Sequence, residues 1–264
     1  KAEITKERAR GDKRSTLIYD ATAIHSLELL AASLHGMLTS SANRWFSLRF
    51  KEGILNESDE AREWLEDSID KMYLAFARSN FQQEIFENYH DLIAFGTACL
   101  MVEEDEDDVI RFSARHIKEM FVEENKKGLI DNVYRKFKIT ADQAVQKFGP
   151  ENLSKEINNT HKTHPYDEVE ICHIVRPRNV YDFSKKDKKN MAFQSIYFEH
   201  STDHIISVGG FNENVYVVSR YLKSSTEIYG RSPAMNALPD VKVLNKMVEH
   251  GLKAAAKQID PPLL

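Results

Sequence analysis

The stretch that decides the fold lies near the end of the chain and reads Tyr229-Gly-Arg-Ser-Pro-Ala-Met-Asn-Ala-Leu-Pro-Asp-Val-Lys-Val-Leu-Asn-Lys-Met247. Ser232 followed by Pro233 predicts a helix start, because the first helical residue needs no backbone N–H and proline has none. Apolar residues then recur at helical spacing toward Gln258. Pro239 falls within the first turns, where it is expected to kink the helix or to begin a second segment. A long C-terminal helix is therefore the first element that the sequence predicts.

Charged and apolar side chains divide this helix into two sides. At about 100° per residue, a lysine stripe falls within about 60°, and its members are Lys242, Lys246, Lys253 and Lys257. Glu249 lies inside that stripe, and the opposite side carries Val243, Leu244, Met247, Val248, Leu252, Ala255 and Ile259. The pattern suits an ordinary surface helix, or a helix that presents weak positive charge to a polyanion while packing against neighbours. A membrane-surface helix is disfavoured because aromatic anchors are absent.

Upstream, the N-terminal region has the apolar periodicity of helices. Stripes at three- and four-residue steps predict helices over residues 21–38 and from Ser58 to Phe76. Asn80, with Gln83 three residues later, resembles a capping box for a third helix that continues to Leu92. Between the first two helices, Trp45-Phe-Ser-Leu-Arg-Phe50 alternates apolar and polar residues and predicts a short strand. We expect the apolar stripes to pack in the core.

From Thr97 onward the period is mainly that of strands. One hairpin is predicted over residues 98–112, with the acidic run Glu103–Asp108 as its exposed turn. A second hairpin spans residues 120–138 around Asn125-Lys-Lys-Gly128, a sequence typical of turns. Further strands are predicted over residues 170–176, 194–200 and 215–222, with exposed loops at residues 185–189 and 209–214.

Helical signals interrupt these strands once. Thr140, with Gln143 as its capping partner, predicts a short helix that stops at Gly149-Pro150. A polar, helix-like stretch follows to about Thr160. Together with the terminal helices and the predicted strands, these elements indicate an α+β fold.

The composition limits the classes of function. The 264 residues carry a formal net charge of −5, so bulk positive charge does not drive nucleic-acid binding. Cys99 and Cys172 are too few for a disulfide framework or a four-thiolate zinc site. No apolar stretch reaches the length of a transmembrane helix, so no membrane partner is expected. A polar start at Lys1 and an end in two leucines favour a piece of a longer protein.

Motifs that carry chemistry are missing from the sequence. It contains no phosphate-binding loop, no strand-linked dinucleotide motif and no nucleophile elbow. The pairs His161/His164 and His200/His204 have spacings that occur in metal sites, but the first lacks a third ligand and the second spans a strand end. Cys99, between two apolar residues, is predicted to be a buried small side chain and not a nucleophile. The prediction is a non-enzyme without cofactor or metal.

The stretch from Tyr229 to Met247 closely resembles the head-to-tail connector, or portal, proteins of short-tailed, podovirus-type bacteriophages. Other stretches agree with the same family, namely Asp20-Ala-Thr-Ala23, Leu30–Thr39, Trp45-Phe46, Phe95-Gly-Thr-Ala98, Thr140–Gly149 and His173-Ile-Val-Arg-Pro-Arg178. The resemblance covers about residues 15 to 262. Members of the family are markedly longer than this chain, which agrees with the interpretation of the chain ends.

The resemblance implies a portal-like architecture with a wing over residues 1–139, a candidate first stem helix over 140–166, a β-rich clip over 167–228, and a second stem helix over 229–264 running toward the tunnel loop. The lysine stripe would then line a DNA channel, and the clip candidates are Arg176, Arg178, Lys185 and Lys186.

The function that the resemblance implies is that of a homo-oligomeric ring, typically dodecameric, at one vertex of a phage head. Double-stranded DNA would be packaged through it by a separate large terminase and later ejected. A tail adaptor protein and the capsid and scaffolding proteins would be its other partners. The ring would assemble in the host cytoplasm and reside in the virion at the head–tail junction. Two alternatives stay open: a structural or scaffolding module without DNA contact, and a carboxylate-dependent phosphate-handling enzyme.

Overall fold

A computed structural model describes residues 17–182, 184–185 and 187–259. The helices are α1 (Thr22–Leu38), α2 (Asp59–Arg78), α3 (Phe81–Phe95), α4 (Ala141–Phe148), α5 (Lys155–Thr163) and α6 (Pro233–Ile259), with short 3-10 helices at Gly53–Glu57, Ile117–Glu119 and Lys188–Asn190. The strands are β1 (Thr97–Asp105), β2 (Val109–Arg115), β3 (Met120–Glu124), β4 (Ile130–Thr140), β5 (Glu168–Pro177), β6 (Phe193–Glu199), β7 (Ile205–Phe211) and β8 (Tyr216–Arg220). The predicted α+β class is confirmed.

The chain forms two compact units. The helical unit comprises the described residues up to Ala98, residues 105–111, and residues 219–259. The β unit comprises residues 99–104 and 112–218. Neither unit coincides with the wing, stem and clip ranges, so that division of the chain stays a prediction. Strands β2, β1 and β8 form a three-stranded sheet in that order.

In the helical unit, α3 packs against both α1 and α6. Its core includes Ala31 of α1, Ile69 of α2, and Phe81 and Ile93 of α3, all buried. The three N-terminal helices therefore confirm the periodicity of the sequence. The side chain of Asn80 makes no capping hydrogen bond, however, so the predicted capping box at the start of α3 is wrong.

The strand predicted over Trp45–Phe50 is also wrong, because this segment forms neither a strand nor a helix. Its backbone bonds a side chain instead: the N–H groups of Trp45 and Phe46 donate to the hydroxyl of Tyr73 at 2.6 and 2.9 Å. The ring of Phe46 stacks on Tyr73 with centroids 4.5 Å apart, and Trp45 stacks on Phe81 at 5.7 Å. The alternating aromatic residues serve packing onto helices, which the alternation alone does not distinguish from a sheet.

The β unit is built on a five-stranded sheet in the order β3-β4-β5-β6-β7, with antiparallel neighbours throughout. An exposed loop was predicted over residues 209–214, but β7 extends to Phe211, so the prediction is wrong for Gly209 and Gly210 and only residues 212–214 lie outside a strand. A Cβ on Gly210 would collide with the backbone oxygen of Lys188 and lie 2.9 Å from that of Phe193. The glycine therefore marks the close approach of another segment to a strand, not a turn.

Two hydrophobic clusters lie within the β unit. The first groups Cys99, Met101, Met120, Val122, Val133, Val175 and Tyr216. The second groups Phe137, Ala141, Ala144, Leu153, Ile157, Ile171 and Ile206, and includes the inner sides of α4 and α5. The predicted capping box of α4 is confirmed, since Thr140 and Gln143 exchange hydrogen bonds of 3.1 and 3.2 Å. Residues 140–166 thus contain two short helices separated at Gly149-Pro150.

Candidate functional site: the C-terminal helix and its anchors

Helix α6 is anchored at its start by a close crossing of two glycines. Gly96 ends α3 in a left-handed conformation with φ +77°, and a Cβ on it would lie 2.5 Å from the carbonyl oxygen of Gly230. The N–H of Gly230 donates to the hydroxyl of Thr97 at 2.8 Å, and the N–H of Tyr221 donates to the carbonyl of Gly96 at 2.9 Å. Two stretches that carry the family resemblance are therefore in direct contact, which their separation in sequence hides.

Ser232 fixes the helix start to the end of α3. Its buried hydroxyl donates to the carbonyl of Ala94 at 3.0 Å and accepts from the N–H of Met235 at 2.9 Å. The second bond is that of an N-capping residue, so the predicted start at Ser232-Pro233 is confirmed. Helix α6 then continues unbroken from Pro233 to Ile259, with Pro239 inside it.

Farther along, Asn245 binds the segment that precedes α1. Its side-chain oxygen accepts from the backbone N–H groups of Tyr19 and Asp20 at 2.7 and 3.2 Å, and its amide nitrogen donates to the carbonyl of Leu17 at 3.0 Å. One side chain thus satisfies three backbone groups that no secondary structure pairs. Asparagine suits this position because it offers both a donor and an acceptor.

Glu249 joins the middle of the lysine stripe into one network. Its carboxylate accepts from the ammonium groups of Lys246 at 2.6 Å and Lys253 at 2.5 Å. Although the lysine side chains are largely exposed, the Glu249 side chain is only 10% exposed. These two hydrogen bonds lower the pKa of Glu249 to about 2, and the same carboxylate raises the pKa of Lys253. The three groups together carry a single net positive charge.

The two outer lysines of the stripe differ from the inner pair. Lys242 and Lys257 are exposed, and neither forms an ion pair within the described residues. Their ammonium groups are therefore available to an external anion, whereas Lys246 and Lys253 already share an internal one. The sequence placed all four on one side, but it did not separate them into these two kinds.

The apolar side of α6 was expected to pack against neighbours, and it is exposed in the single chain. Val243, Met247 and Leu252 are 58%, 66% and 58% exposed. Residues 251–259 are exposed on every side of the helix. After the first turn of the helix, the buried or half-buried positions are instead Val241, Asn245, Val248 and Glu249. In its second half, α6 therefore offers both a lysine stripe and an uncovered apolar surface.

The clip candidates lie in or near the end of the five-stranded sheet. Arg176 and Arg178 line a pocket with Asn132 and Gln194. Lys185 lies 3.8 Å from the carboxylate of Asp182 in the following loop. Lys186 lies outside the described residues. Two of the four candidates are therefore brought together in one pocket.

The histidine and cysteine candidates have ordinary structural partners. His161 contacts Asp142 at 3.3 Å, and His204 contacts the carbonyl of Asn152 at 3.0 Å. Cys99 is buried, and burial raises the pKa of its thiol to about 12, which keeps it protonated. In the described ranges, no three histidine, cysteine, aspartate or glutamate side chains are grouped as metal ligands. Over the same ranges, none of the helices combines the length and apolar character that a membrane span requires.

A polar row across the five-stranded sheet was missed by the sequence analysis. Fully buried His173 bonds the hydroxyl of Tyr216 at 2.7 Å and that of Ser195 at 2.9 Å, and it stacks on Tyr197 with centroids 3.8 Å apart. Next to His173 in register lies Arg135, whose guanidinium bonds Glu119 at 3.0 Å. Burial, with nearby Lys147 and Arg135, lowers the pKa of His173 to about 3. Burial alternates along β5, so His173 lies on the same buried face as Val175. This alternation was the signal by which the sequence could have revealed a buried histidine.

These features describe an α+β protein with a lysine stripe on an anchored helix and an arginine-lined pocket at the end of a sheet. The chain belongs to the family of bacteriophage head to tail connecting proteins, whose model matches residues 1–264. It is 33% identical over 260 residues to the probable portal protein of Bordetella phage BPP-1, covering 97% of this chain and 47% of that protein. It is 30% identical over 265 residues to the portal protein of Salmonella phage epsilon15, covering 99% and 48%. The chain thus spans about half the length of the curated relatives it matches.

Proposed function

We propose that this chain is part of a portal subunit: a passive ring protein at one vertex of a phage head, through which double-stranded DNA enters and leaves. The observation that carries the proposal is membership of the connector family along the whole chain. In the proposed virion the ring lies at the head–tail junction. A large terminase would drive DNA through it, and a tail adaptor protein would dock on it afterwards. The capsid and scaffolding proteins would surround it during assembly in the host cytoplasm.

The two sides of α6 support the ring and the channel separately. An apolar helix surface that none of the described elements covers is expected to pack against another subunit, because such area is costly in water. The lysine stripe would then be repeated around the ring by symmetry. Wing, clip and stem would follow the ranges given above, with Arg176, Arg178, Lys185 and Lys186 in the clip.

The charge arrangement suits a conduit that must not hold its DNA. Each phosphate that a protein neutralises adds salt-dependent affinity, so a dense lysine lining would retain the duplex. Because Glu249 takes up one of the charges of Lys246 and Lys253, each subunit would offer Lys242, Lys257 and a weakly positive centre. Such a lining guides the duplex without trapping it.

Electron microscopy of the full-length protein tests the ring. We expect closed rings with a central channel wide enough for a DNA duplex at moderate salt. A monomer or dimer at every concentration would contradict the proposal. A closed ring whose channel excludes a duplex would favour the second candidate, a structural module without DNA contact, which the internal pairing of Lys246 and Lys253 also suits.

The channel is tested in the same protein by charge reversal. Lys242→Glu combined with Lys257→Glu should leave rings intact and reduce DNA packaging or ejection. Lys51→Glu, which alters an exposed lysine outside both the stripe and the clip candidates, is the control. If the double variant packages and ejects DNA as the control does, the lysine stripe does not face DNA.

A further inference from the structure

The pocket at the end of the five-stranded sheet is polar and cationic. It has a volume of about 490 Å³ and is lined by Asn132, Arg176, Pro177, Arg178, Asn179, Val180 and Gln194. Arg176 lies near the end of β5, and Arg178 directly follows that strand. Because they are two positions apart, the two arginines share one face of the sheet. No acidic side chain lines the pocket within the described residues.

The charges of these two arginines are not paired with a carboxylate in the described part of their own chain. Arg178 donates to backbone carbonyls only, among them that of Gly209 at 2.6 Å, and its buried Nε has no partner there. Arg176 uses only its Nε, which donates to the side chain of Gln194 at 3.2 Å. Its terminal N–H groups are thus left for a ligand, and their planar fork suits a carboxylate.

The same chain carries an acidic counterpart in the turn between β1 and β2. Asp105 closes this turn by accepting from the N–H groups of Asp107 and Asp108, both at 3.0 Å, and Arg111 is its ion-pair partner at 3.8 Å. The remaining carboxylates at the tip are exposed and form no ion pair with the described residues, namely Glu104, Glu106, Asp107 and Asp108. We call these four the acidic tip.

We propose that the pocket of Arg176 and Arg178 binds the acidic tip of a second copy of this chain. Neither surface has an ion-pair partner among the described residues, and the two are complementary in charge between two copies of the chain. Because the pocket and the tip are different surfaces, the contact is heterologous: each copy gives its tip to one neighbour and its pocket to another. A contact of this kind repeats around a ring. The inference rests on the proposed ring and adds to it a specific, salt-dependent ion-pair contact between subunits.

Charge reversal at single exposed residues tests the contact in the full-length protein. Arg176→Glu and Glu106→Lys should each weaken subunit association roughly tenfold, by sedimentation at low salt, as expected for the loss of an ion pair plus a like-charge contact. The combination of both changes should restore association, because the pair is re-formed with reversed charges. Lys51→Glu and Glu213→Lys, at exposed residues outside the pocket and the acidic tip, are the matched controls, and we expect neither to change association.

A cross-linking measurement gives an independent answer. In a Cys172→Ser background, Glu106→Cys with Arg176→Cys should yield covalent oligomers on oxidation, and Glu106→Cys with Lys51→Cys, at an exposed residue outside the pocket, should yield far fewer. Wild-type association of both reversal variants, or equal cross-linking of the two cysteine pairs, would overturn this contact while leaving the ring intact. A wild-type protein that never associates would overturn the ring as well, so the two failures are distinguishable.

Discussion

Gly96 and Gly230 cross so closely that a side chain on either would meet the backbone of the other. A Cβ on Gly96 would lie 2.5 Å from the carbonyl oxygen of Gly230, and the φ of Gly96 is +77°. This crossing places the start of α6 against the end of α3. It ties the helix with the lysine stripe to the helical core of its own unit.

The crossing of Gly96 and Gly230 predicts that adding a single methyl group at Gly96 lowers the stability of the helical unit strongly. Gly96→Ala should destabilise the helical unit by about 3 kcal/mol or more, because it combines a left-handed alanine with a backbone collision. Gly251→Ala is the matched control: Gly251 lies inside α6 with open space around its Cβ position, so alanine should stabilise by about 0.5–1 kcal/mol. Denaturant unfolding followed by circular dichroism measures both. Equal stability of the two variants would contradict the crossing.

Glu249 predicts an acid-sensitive step in α6. Its folded pKa is lowered to about 2 from an ordinary 4.5, so its stabilising pairs with Lys246 and Lys253 are complete above about pH 4.5. They are lost as the pH falls through the folded pKa near 2. Glu249→Gln should remove this contribution at neutral pH and lower the pKa of Lys253. Nuclear magnetic resonance titration of the Lys253 side chain checks the shift, with Lys257 as the unpaired reference; no change at Lys253 would refute the network.

Glu249→Gln should also change DNA affinity in the opposite direction to loss of a lysine. Removing the carboxylate leaves two uncompensated ammonium groups in each subunit, so DNA should bind more tightly and with a steeper salt dependence. Each added phosphate contact steepens the slope of log affinity against log salt by about 0.9. Fluorescence anisotropy with duplex DNA at several salt concentrations measures it. An unchanged slope would show that this part of the stripe does not meet DNA.

His173 predicts that the β unit loses stability in mild acid. Its folded pKa is lowered to about 3 from an ordinary 6.5, since burial disfavours the charged ring. Only the unfolded chain then takes up this proton, so stability falls as the pH drops from about 6.5 toward about 3. Urea unfolding at pH 7 and pH 5 should show this loss, and His173→Gln should be less stable at pH 7 but less dependent on pH. A pH dependence unchanged in that variant would exclude His173 as its source.

Val109 predicts a stabilising substitution in the turn between β1 and β2. It has φ +72°, which is costly for a β-branched residue, and its side chain is 69% exposed. Val109→Gly should raise stability by about 1 kcal/mol, because the left-handed strain exceeds the entropic cost of glycine. Val217→Gly, at a similarly exposed residue inside β8, should destabilise. Thermal unfolding compares the two, and a lower melting temperature for Val109→Gly would contradict the expectation.

Several elements followed from the sequence because their causes are local. The start of α6 at Ser232-Pro233, the capping box of Thr140 and Gln143, and the turn at Asn125–Gly128 each depend on residues a few positions apart. The apolar stripes of α1 to α3 also agree with the structure, since helical periodicity reflects burial on one side. The family resemblance was visible in the sequence for the same reason: its stretches are contiguous.

Other features depended on residues far apart, so no local pattern revealed them. Trp45 and Phe46 were predicted to lie in a strand. Their backbone N–H groups instead donate to the hydroxyl of Tyr73, which lies on a distant helix. Gly210 was predicted to lie in a loop. Its glycine is required by the close approach of residues 188–193, which the local sequence around Gly210 does not show. The two hydrogen-bond partners of His173, Ser195 and Tyr216, also lie on other strands.

The sequence by itself determined the α+β class, most helices and strands, the family, and the presence of four lysines on one side of α6. Only the tertiary structure decided that Glu249 joins Lys246 and Lys253 while Lys242 and Lys257 stay unpaired among the described residues, and that the apolar side of α6 is uncovered. It also brought Gly96 to Gly230. The physical reason is that periodicity fixes which side chains share a face, whereas burial and pairing depend on what the rest of the chain places against that face.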